Sequence, residues 1–288
     1  MMVKRNALRR VAAGIAAIAA AIGFVFGSFA DTIDLAQLKY GLRVGNGHTL
    51  TGKLEKNVKI SIADGATVTL KDVTIHGVND GKYKWAGITC EGNATLVLEG
   101  GNAVIGFHEN YPGVYVPPGK TLTIKGWGTL SSGPSGGGWA AGIGGGNGLP
   151  CGSIVIESGS IYAQAFACAA GIGGSTGSCG DITIKGGTVI AIGGRGVLRN
   201  DVQVYDGGAG IGGGCHSTCG NITITGGNVS AKAGPYAAGI GASSESGCGN
   251  ITISGGTVTA LGIGSGAGVG SAFGTVGNIL PVSHRFRP

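Results

Sequence analysis

Apolar and polar residues alternate with a period of two along most of the chain, in runs of only three to five residues. In Ile222-Thr223-Ile224 and Ile251-Thr252-Ile253 the isoleucines fall on one side of an extended backbone and the threonine on the other. Runs this short, separated by glycine, predict β-strands joined by tight turns.

The runs recur. The tetrapeptide Ala-Gly-Ile-Gly begins at Ala141, Ala170, Ala209 and Ala238, and a variant, Ala-Gly-Val-Gly, begins at Ala267. The spacings are 29, 39, 29 and 29 residues. Each full unit continues with Cys-Gly-x-Ile-x-Ile, starting at Cys151, Cys179, Cys219 and Cys248. A third block closes it: Gly159 to Ala163, Gly187 to Ala191, Gly227 to Ala231 and Gly256 to Ala260. Degenerate copies run upstream through Ala86-Gly87-Ile88, Thr95 to Leu98, Gly113 to Val116 and Thr121 to Ile124, so the array begins near Thr49.

A unit of three short strands makes one coil of a parallel β-helix. Stacked coils lie about 4.8 Å apart, so equivalent isoleucines superpose as a continuous buried column. The expectation is an all-β, right-handed parallel β-helix (a β-solenoid) of roughly eight coils with three short strands each. A β-propeller blade needs about 40–45 residues and fits this period poorly. The 63 glycines among 288 residues then read as turn residues. They exclude a helical bundle, and their clustering excludes collagen.

Residues 1–30 stand apart. Lys4, Arg5, Arg9 and Arg10 precede an uncharged apolar run from Val11 to Phe26, and Gly27-Ser28-Phe29-Ala30 supplies the small residues of a cleavage site. This is the pattern of a secretory signal peptide. Its four positive charges, unopposed by any acid, account for most of the formal +6, which falls to +2 without them. No Lys/Arg cluster suits a nucleic acid, and no other segment has the length of a membrane span. The organisation expected is a signal peptide over 1–30, an N-terminal cap segment over 31–48, the solenoid over 49–280 and an irregular tail over 281–288. The place expected is secreted or cell-surface.

The Ala-Ala-Gly-Ile-Gly-Gly and Cys-Gly-Asn-Ile-Thr-Ile-x-Gly-Gly-x-Val units resemble those of secreted glycine-rich β-helix surface proteins of bacteria, often described as carbohydrate-binding-domain proteins. The likeness covers roughly residues 49–280. It implies a right-handed β-helix, an extracytoplasmic place and glycan binding, and it carries no catalytic residue to transfer.

Candidate chemistry is sparse. Trp85, Tyr111, Trp139 and Tyr236 each precede an Ala-Gly-Ile-like block; they either pack at the corners and cover the core, as aromatic side chains mostly do, or, stacked on the coils, offer aromatic faces to a polysaccharide. Ten extra residues near Gly193–Gly208 place Arg195, Arg199, Asp201 and Tyr205 on an insertion loop, where solenoids often bind. Cys151, Cys179, Cys219 and Cys248 share one phase and form a ladder. Parallel side chains in an ideal stack hold Cβ atoms near the rung spacing of ~4.8 Å, beyond the about 3.5–4.5 Å that disulfides prefer, which favours a buried thiol stack unless the side chains converge, with disulfides Cys151–Cys179 and Cys219–Cys248 as the alternative. Seven cysteines leave at least one unpaired. Cys215-His216-Ser217-Thr218-Cys219 offers three soft ligands where structural zinc wants four, so no metal and no cofactor is expected. The threonine column Thr183, Thr223, Thr252 is broken by Val155, and its neighbour column by Glu157 and Lys185, which speaks against ice binding. The 14 acids, among them Asp72, Asp80, Glu91, Glu99 and Glu109, are scattered over units and phases, which disfavours the paired carboxylates of a glycosidase or lyase.

The function expected is an exported, non-catalytic solenoid that binds a polysaccharide or cell-surface glycan. A self-assembling surface fibre and a polysaccharide-active enzyme are the alternatives. The repeat stops mid-unit after Leu280, and an uncapped last coil would offer a route to self-association.

Overall fold

The structure, a computed structural model, describes residues 30–199, 202–271, 275–276 and 278–281. The segment expected to be a signal peptide, up to Phe29, and the tail beyond Pro281 therefore lie outside the described residues. The described chain is a parallel β-solenoid of about seven turns, slightly fewer than the eight or so expected. Among the described residues no helix is long and apolar enough to cross a membrane.

Three faces build each coil. The first carries the Ile-x-Ile strands, such as Ser153–Ile156, Ile182–Ile184 and Ile222–Ile224. The second carries strands with a buried alanine, such as Ser160–Gln164, Thr188–Ile192 and Asn228–Pro235. The third carries the two- or three-residue Ile-Gly strands, such as Ile143–Gly144 and Ile172–Gly173. The ten-residue strand Ala66–Ile75 runs around the corner between the first two faces: Ala66 to Lys71 pair with Ala94–Glu99, and Thr74 and Ile75 with Ala103 and Val104.

The inter-coil pairings on these faces are parallel, and their register shifts at Thr51/Gly52 and at Lys232/Pro235. On the first face Leu122, Ile154, Ile182, Ile222 and Ile251 superpose, and beside them Leu96, Ile124, Ile156, Ile184 and Ile224. On the third, Ile88, Val114, Ile143, Ile172, Ile211, Ile240 and Val269 form another column. Most of these side chains are fully buried in one continuous core. The alternation read from the sequence is therefore the inside–outside alternation of the wall.

Next to the isoleucine column of the third face runs a column of glycines: Gly144, Gly173, Gly212, Gly241 and Gly270. Each has φ between 131° and 134°, a region that side-chain-bearing residues rarely adopt. A Cβ at Gly144 would fall 2.1 Å from the Gly173 carbonyl oxygen, and one at Gly212 would fall 2.0 Å from that of Gly241. Successive coils thus touch backbone to backbone, and no other residue fits.

Polar side chains follow the same register. At one corner Asp181 Oδ1 accepts from the Asn221 amide (2.7 Å), Asn221 Oδ1 from the Asn250 amide (2.9 Å), and Asn250 Oδ1 from the Asn278 amide (2.8 Å). Asp64 and Asn93 do the same for Asn93 and Thr121. Buried Asn102 replaces an aliphatic rung on the second face: its Oδ1 accepts from the Val73 amide, and its Nδ2 donates to the carbonyls of Glu99 and Thr129. One side chain thereby ties three successive coils. The scattered acids are also inter-coil partners, in the exposed pairs Arg43–Glu91, Lys71–Glu99, Lys120–Asp64 and Lys185–Glu157. Exposed pairs like these each contribute about 0–1 kcal/mol.

At the N-terminal end, Thr32–Asp34 pairs with Thr49–Thr51, and the 3-10 turn Leu35–Gln37 drops a fully buried Leu35 onto the core. Leu42–Val44 is already a rung of the third face, paired with Ile60–Ile62. The ten-residue insertion forms an antiparallel hairpin, Val197–Arg199 against Val202–Tyr205.

Ile182→Ala is expected to lower the unfolding free energy by about 2–5 kcal/mol, and Thr183→Ala, on the outer side of the same strand, by less than about 0.5 kcal/mol. Denaturant titration reads both values, and equal effects would contradict the orientation of the wall.

Candidate functional site

A cleft of about 620 Å³ opens on the outer side of the second face. Its floor is built by strand alternation: Gly101–Ile105, Thr129–Gly133 and Ser160–Gln164 bury every second residue and turn Ile105, Ser131, Tyr162 and Gln164 outward. One wall is the His76–Asn79 segment, which leaves the long corner strand, and the other is Pro134–Gly136. The first wall sits hard on the next coil, since a Cβ at Gly77 would fall 1.7 Å from the Gly106 carbonyl oxygen. Asn79, at φ 51°, accepts a hydrogen bond from the Glu109 amide (3.0 Å), which fixes the rim. The cleft runs along the solenoid axis through four successive coils, at His76, Ile105, Gly133 and Gln164, a length of about 14 Å at ~4.8 Å per coil.

The chemistry of the lining is neutral and mixed. Tyr162 is 38% exposed, and its hydroxyl donates to Gln164 Oε1 (2.9 Å), which steadies the ring on the floor. Phe166, Ile105 and Val78 add apolar surface, and Ser131, Ser135, Asn79 and Gln164 add polar groups. The lining contains no Asp, Glu, Lys or Arg. Ser135 is 5% exposed, and its Oγ has no hydrogen-bond partner. Buried hydroxyls are ordinarily paired, and each unpaired one costs about 1–3 kcal/mol. An unpaired hydroxyl buried in the wall of a cleft is a group that a ligand pressing into that wall can satisfy.

The residues expected from sequence lie elsewhere. Trp85 turns to the core, edge-on to Tyr83 (centroids 5.3 Å apart) and tilted over buried Phe107 (5.7 Å). Tyr111 packs edge-on to His108 at 6.1 Å. Trp139 is half-buried, with its carbonyl accepting from Ser175 Oγ (2.8 Å). Tyr236 is 39% exposed on a turn of positive φ. Trp139 and Tyr236 precede their Ile-Gly strands at the same phase, but Cys168 and Gly207 hold that phase on the two coils between, so the pair is three coils, about 14 Å, apart. The four do not line up as one continuous strip. Of the insertion residues, Arg195 is exposed, Arg199 and Tyr205 sit on the hairpin strands, and Asp201 lies outside the described residues. Tyr162 was within reach of the sequence: it occupies an outward position of Ser-Ile-Tyr-Ala-Gln, one strand away from the frame on which the aromatics were aligned.

The cysteines form more than the expected ladder. Cys151, Cys179, Cys219 and Cys248 are buried on successive coils, with the Sγ atoms of Cys219 and Cys248 2.8 Å apart. Cys168 and Cys215 make a further buried contact across a corner, and the Cys215 amide donates to the Cys168 carbonyl at 3.0 Å. Cys215 and Cys219 therefore point into different columns, and His216 turns to Glu245 (2.9 Å) instead of toward them. Cys90 lies in the third-face core beside Ile62, and burial pushes its thiol up to about 12.

The threonine column of the first face is longer than the sequence suggested: Thr67, Thr95, Thr123, Val155, Thr183, Thr223 and Thr252 superpose. Lys125, Glu157 and Lys185 stand along the neighbouring outward positions, so the face is charged and uneven. No protein-family model, curated protein or solved structure matches the chain.

Ser135→Ala is expected to leave stability within about 0.5 kcal/mol of the parent, because its Oγ has no partner to lose. Ser132→Ala, two strand positions from Leu130, should cost about 1 kcal/mol, because buried Ser132 Oγ donates to the Gly142 carbonyl at 2.8 Å. Thermal or denaturant unfolding of the two variants reads the contrast, and a large loss for Ser135→Ala would show its hydroxyl to be a structural group.

Proposed function

We propose that the chain is an exported, non-catalytic β-solenoid that binds an extended, uncharged glycan along the cleft of the second face. One observation carries the reading: an elongated groove that joins an exposed Tyr162 ring to an unsatisfied buried hydroxyl, Ser135 Oγ, without an Asp, Glu, Lys or Arg in its lining. Sugar rings combine an apolar face with a rim of hydroxyls. The apolar face suits Tyr162 and Phe166, and the hydroxyls suit Ser131, Ser135, Asn79 and Gln164. A groove along the axis suits a chain better than a compact ligand. Charged polymers such as uronates would find no counter-ion in it. Bond cleavage by two carboxylates would find no Asp or Glu in the lining, which favours binding over hydrolysis. The apolar, charge-flanked segment at residues 1–30 supports export, and the repeat units' resemblance to secreted β-helix proteins supports a cell-surface role.

A glycan array probed with the chain lacking residues 1–30, followed by calorimetric titration of the best ligand, tests the reading. Neutral oligosaccharides are expected to bind in preference to acidic ones, and Tyr162→Ala to weaken binding by at least about tenfold, or 1.4 kcal/mol. The double variant Trp85→Ala/Trp139→Ala should leave binding unchanged if it folds. Absence of glycan binding, or binding that survives Tyr162→Ala, would sink the proposal. Release of reducing or unsaturated sugars would overturn its non-catalytic part.

A further inference from the structure

We propose that six of the seven cysteines are paired sites of covalent modification, closing three coil-to-coil disulfides: Cys151–Cys179, Cys168–Cys215 and Cys219–Cys248. The inference is independent of what the cleft binds.

The pairing follows from the stack. Cys219 and Cys248 are register partners on adjacent coils, with their Sγ atoms 2.8 Å apart. Register partners on stacked coils are about 4.8 Å apart at Cα, inside the 4.4–6.8 Å range that disulfides span. The Cys151 and Cys179 thiols are in hydrogen-bond contact one coil step away, and so are those of Cys168 and Cys215. The sequence hides the last pair, because Cys168 precedes its Ile-Gly strand, Cys215 follows its own, and the insertion lies between them. All six sulfurs are sheltered in the wall or the core. Within the four-membered ladder, Cys219 is the register partner of Cys248, and Cys179 lies against Cys151, whose carbonyl accepts from the Gly180 amide (3.1 Å) and whose amide donates to the Ser178 carbonyl (2.8 Å), so the ladder divides into two pairs and leaves no half-pair. The odd cysteine is Cys90, set in an apolar column with Ile62 as its register partner.

Each closure is a two-step exchange with a small-molecule disulfide such as oxidised glutathione. The thiolate of one cysteine attacks a sulfur of that disulfide, forming a mixed disulfide and releasing one small thiolate, which takes up a proton. The thiolate of the partner cysteine then attacks the protein sulfur of the mixed disulfide and expels the second small thiolate, which is protonated in turn. Two cysteine S–H bonds and one small-molecule S–S bond are lost, and one protein S–S bond and two small thiols are formed, so two electrons pass to the oxidant. Thiol–thiol hydrogen bonding and then burial raise the Cys168, Cys179 and Cys219 thiols above their ordinary value, so few thiolates exist in the finished coil stack. Exchange is therefore expected while the coils assemble and to be slow once they have closed.

The test is oxidative refolding. The chain lacking residues 1–30 is unfolded and reduced, refolded in a buffer of reduced and oxidised glutathione, and then unfolded without reductant in the presence of an alkylating agent. Mass spectrometry is expected to find one alkylated cysteine, Cys90, and a protein mass lowered by the hydrogens of three disulfides. Peptide mapping is expected to find the three named linkages. The Cys215→Ser variant should show two alkylated cysteines, Cys90 and Cys168, with the other two linkages intact. Seven alkylated cysteines after refolding to the native circular-dichroism spectrum would overturn the proposal, as would linkage of Cys179 to Cys219 or of Cys90 to any partner.

Discussion

The backbone-to-backbone contact along Gly144, Gly173, Gly212, Gly241 and Gly270 is the constraint on which the rest of the structure depends. Gly144, Gly173, Gly212 and Gly241 each meet the carbonyl of the next coil at a distance no Cβ could occupy. The contact fixes where each coil begins relative to the one beneath it. A slip of one residue would turn every inward isoleucine outward. Given the glycine column, the isoleucine columns, the Asx ladder and the inter-coil ion pairs fall into line without separate instruction.

The same register assembles the cleft. Its floor residues come from three strands that are distant in sequence, and Tyr162 meets Ser131 because their strands are register partners. Its walls come from the corner segment at His76–Asn79 and the Pro134–Gly136 turn, which lie outside the regular repeat. The repeat thus supplies a flat, rigid wall, and its irregularities supply the shape. This division suits a binding protein, in which the groove is preformed and a ligand need not order it on arrival.

Fold and site differed in how far the sequence revealed them. The period-two strands and the roughly 29-residue unit encode the solenoid directly, since each isoleucine contacts its own equivalent one unit away. The glycine count likewise proved to reflect backbone geometry. The cleft depends on contacts between non-equivalent residues, and no repeat alignment displays those. Aligning the aromatics on the Ala-Gly-Ile block brought together residues that precede the third face, and it passed over Tyr162 on the second. Asn102 sits in a column of aliphatic residues, and its purpose is visible only through the amide of Val73 and the carbonyls of Glu99 and Thr129. The contact of Cys168 with Cys215 is hidden for a similar reason, the two being at different phases and brought together by a corner.

Hydrogen–deuterium exchange of the chain with and without a neutral oligosaccharide is the most direct measure of the central claim, that the second-face cleft is the binding site. The account predicts added protection at Ser131–Gly136 and Ser160–Phe166, with the Ile-Gly face unchanged. Protection confined to the corner that holds Trp85, Tyr111, Trp139 and Tyr236, or no added protection at saturating ligand, would contradict it.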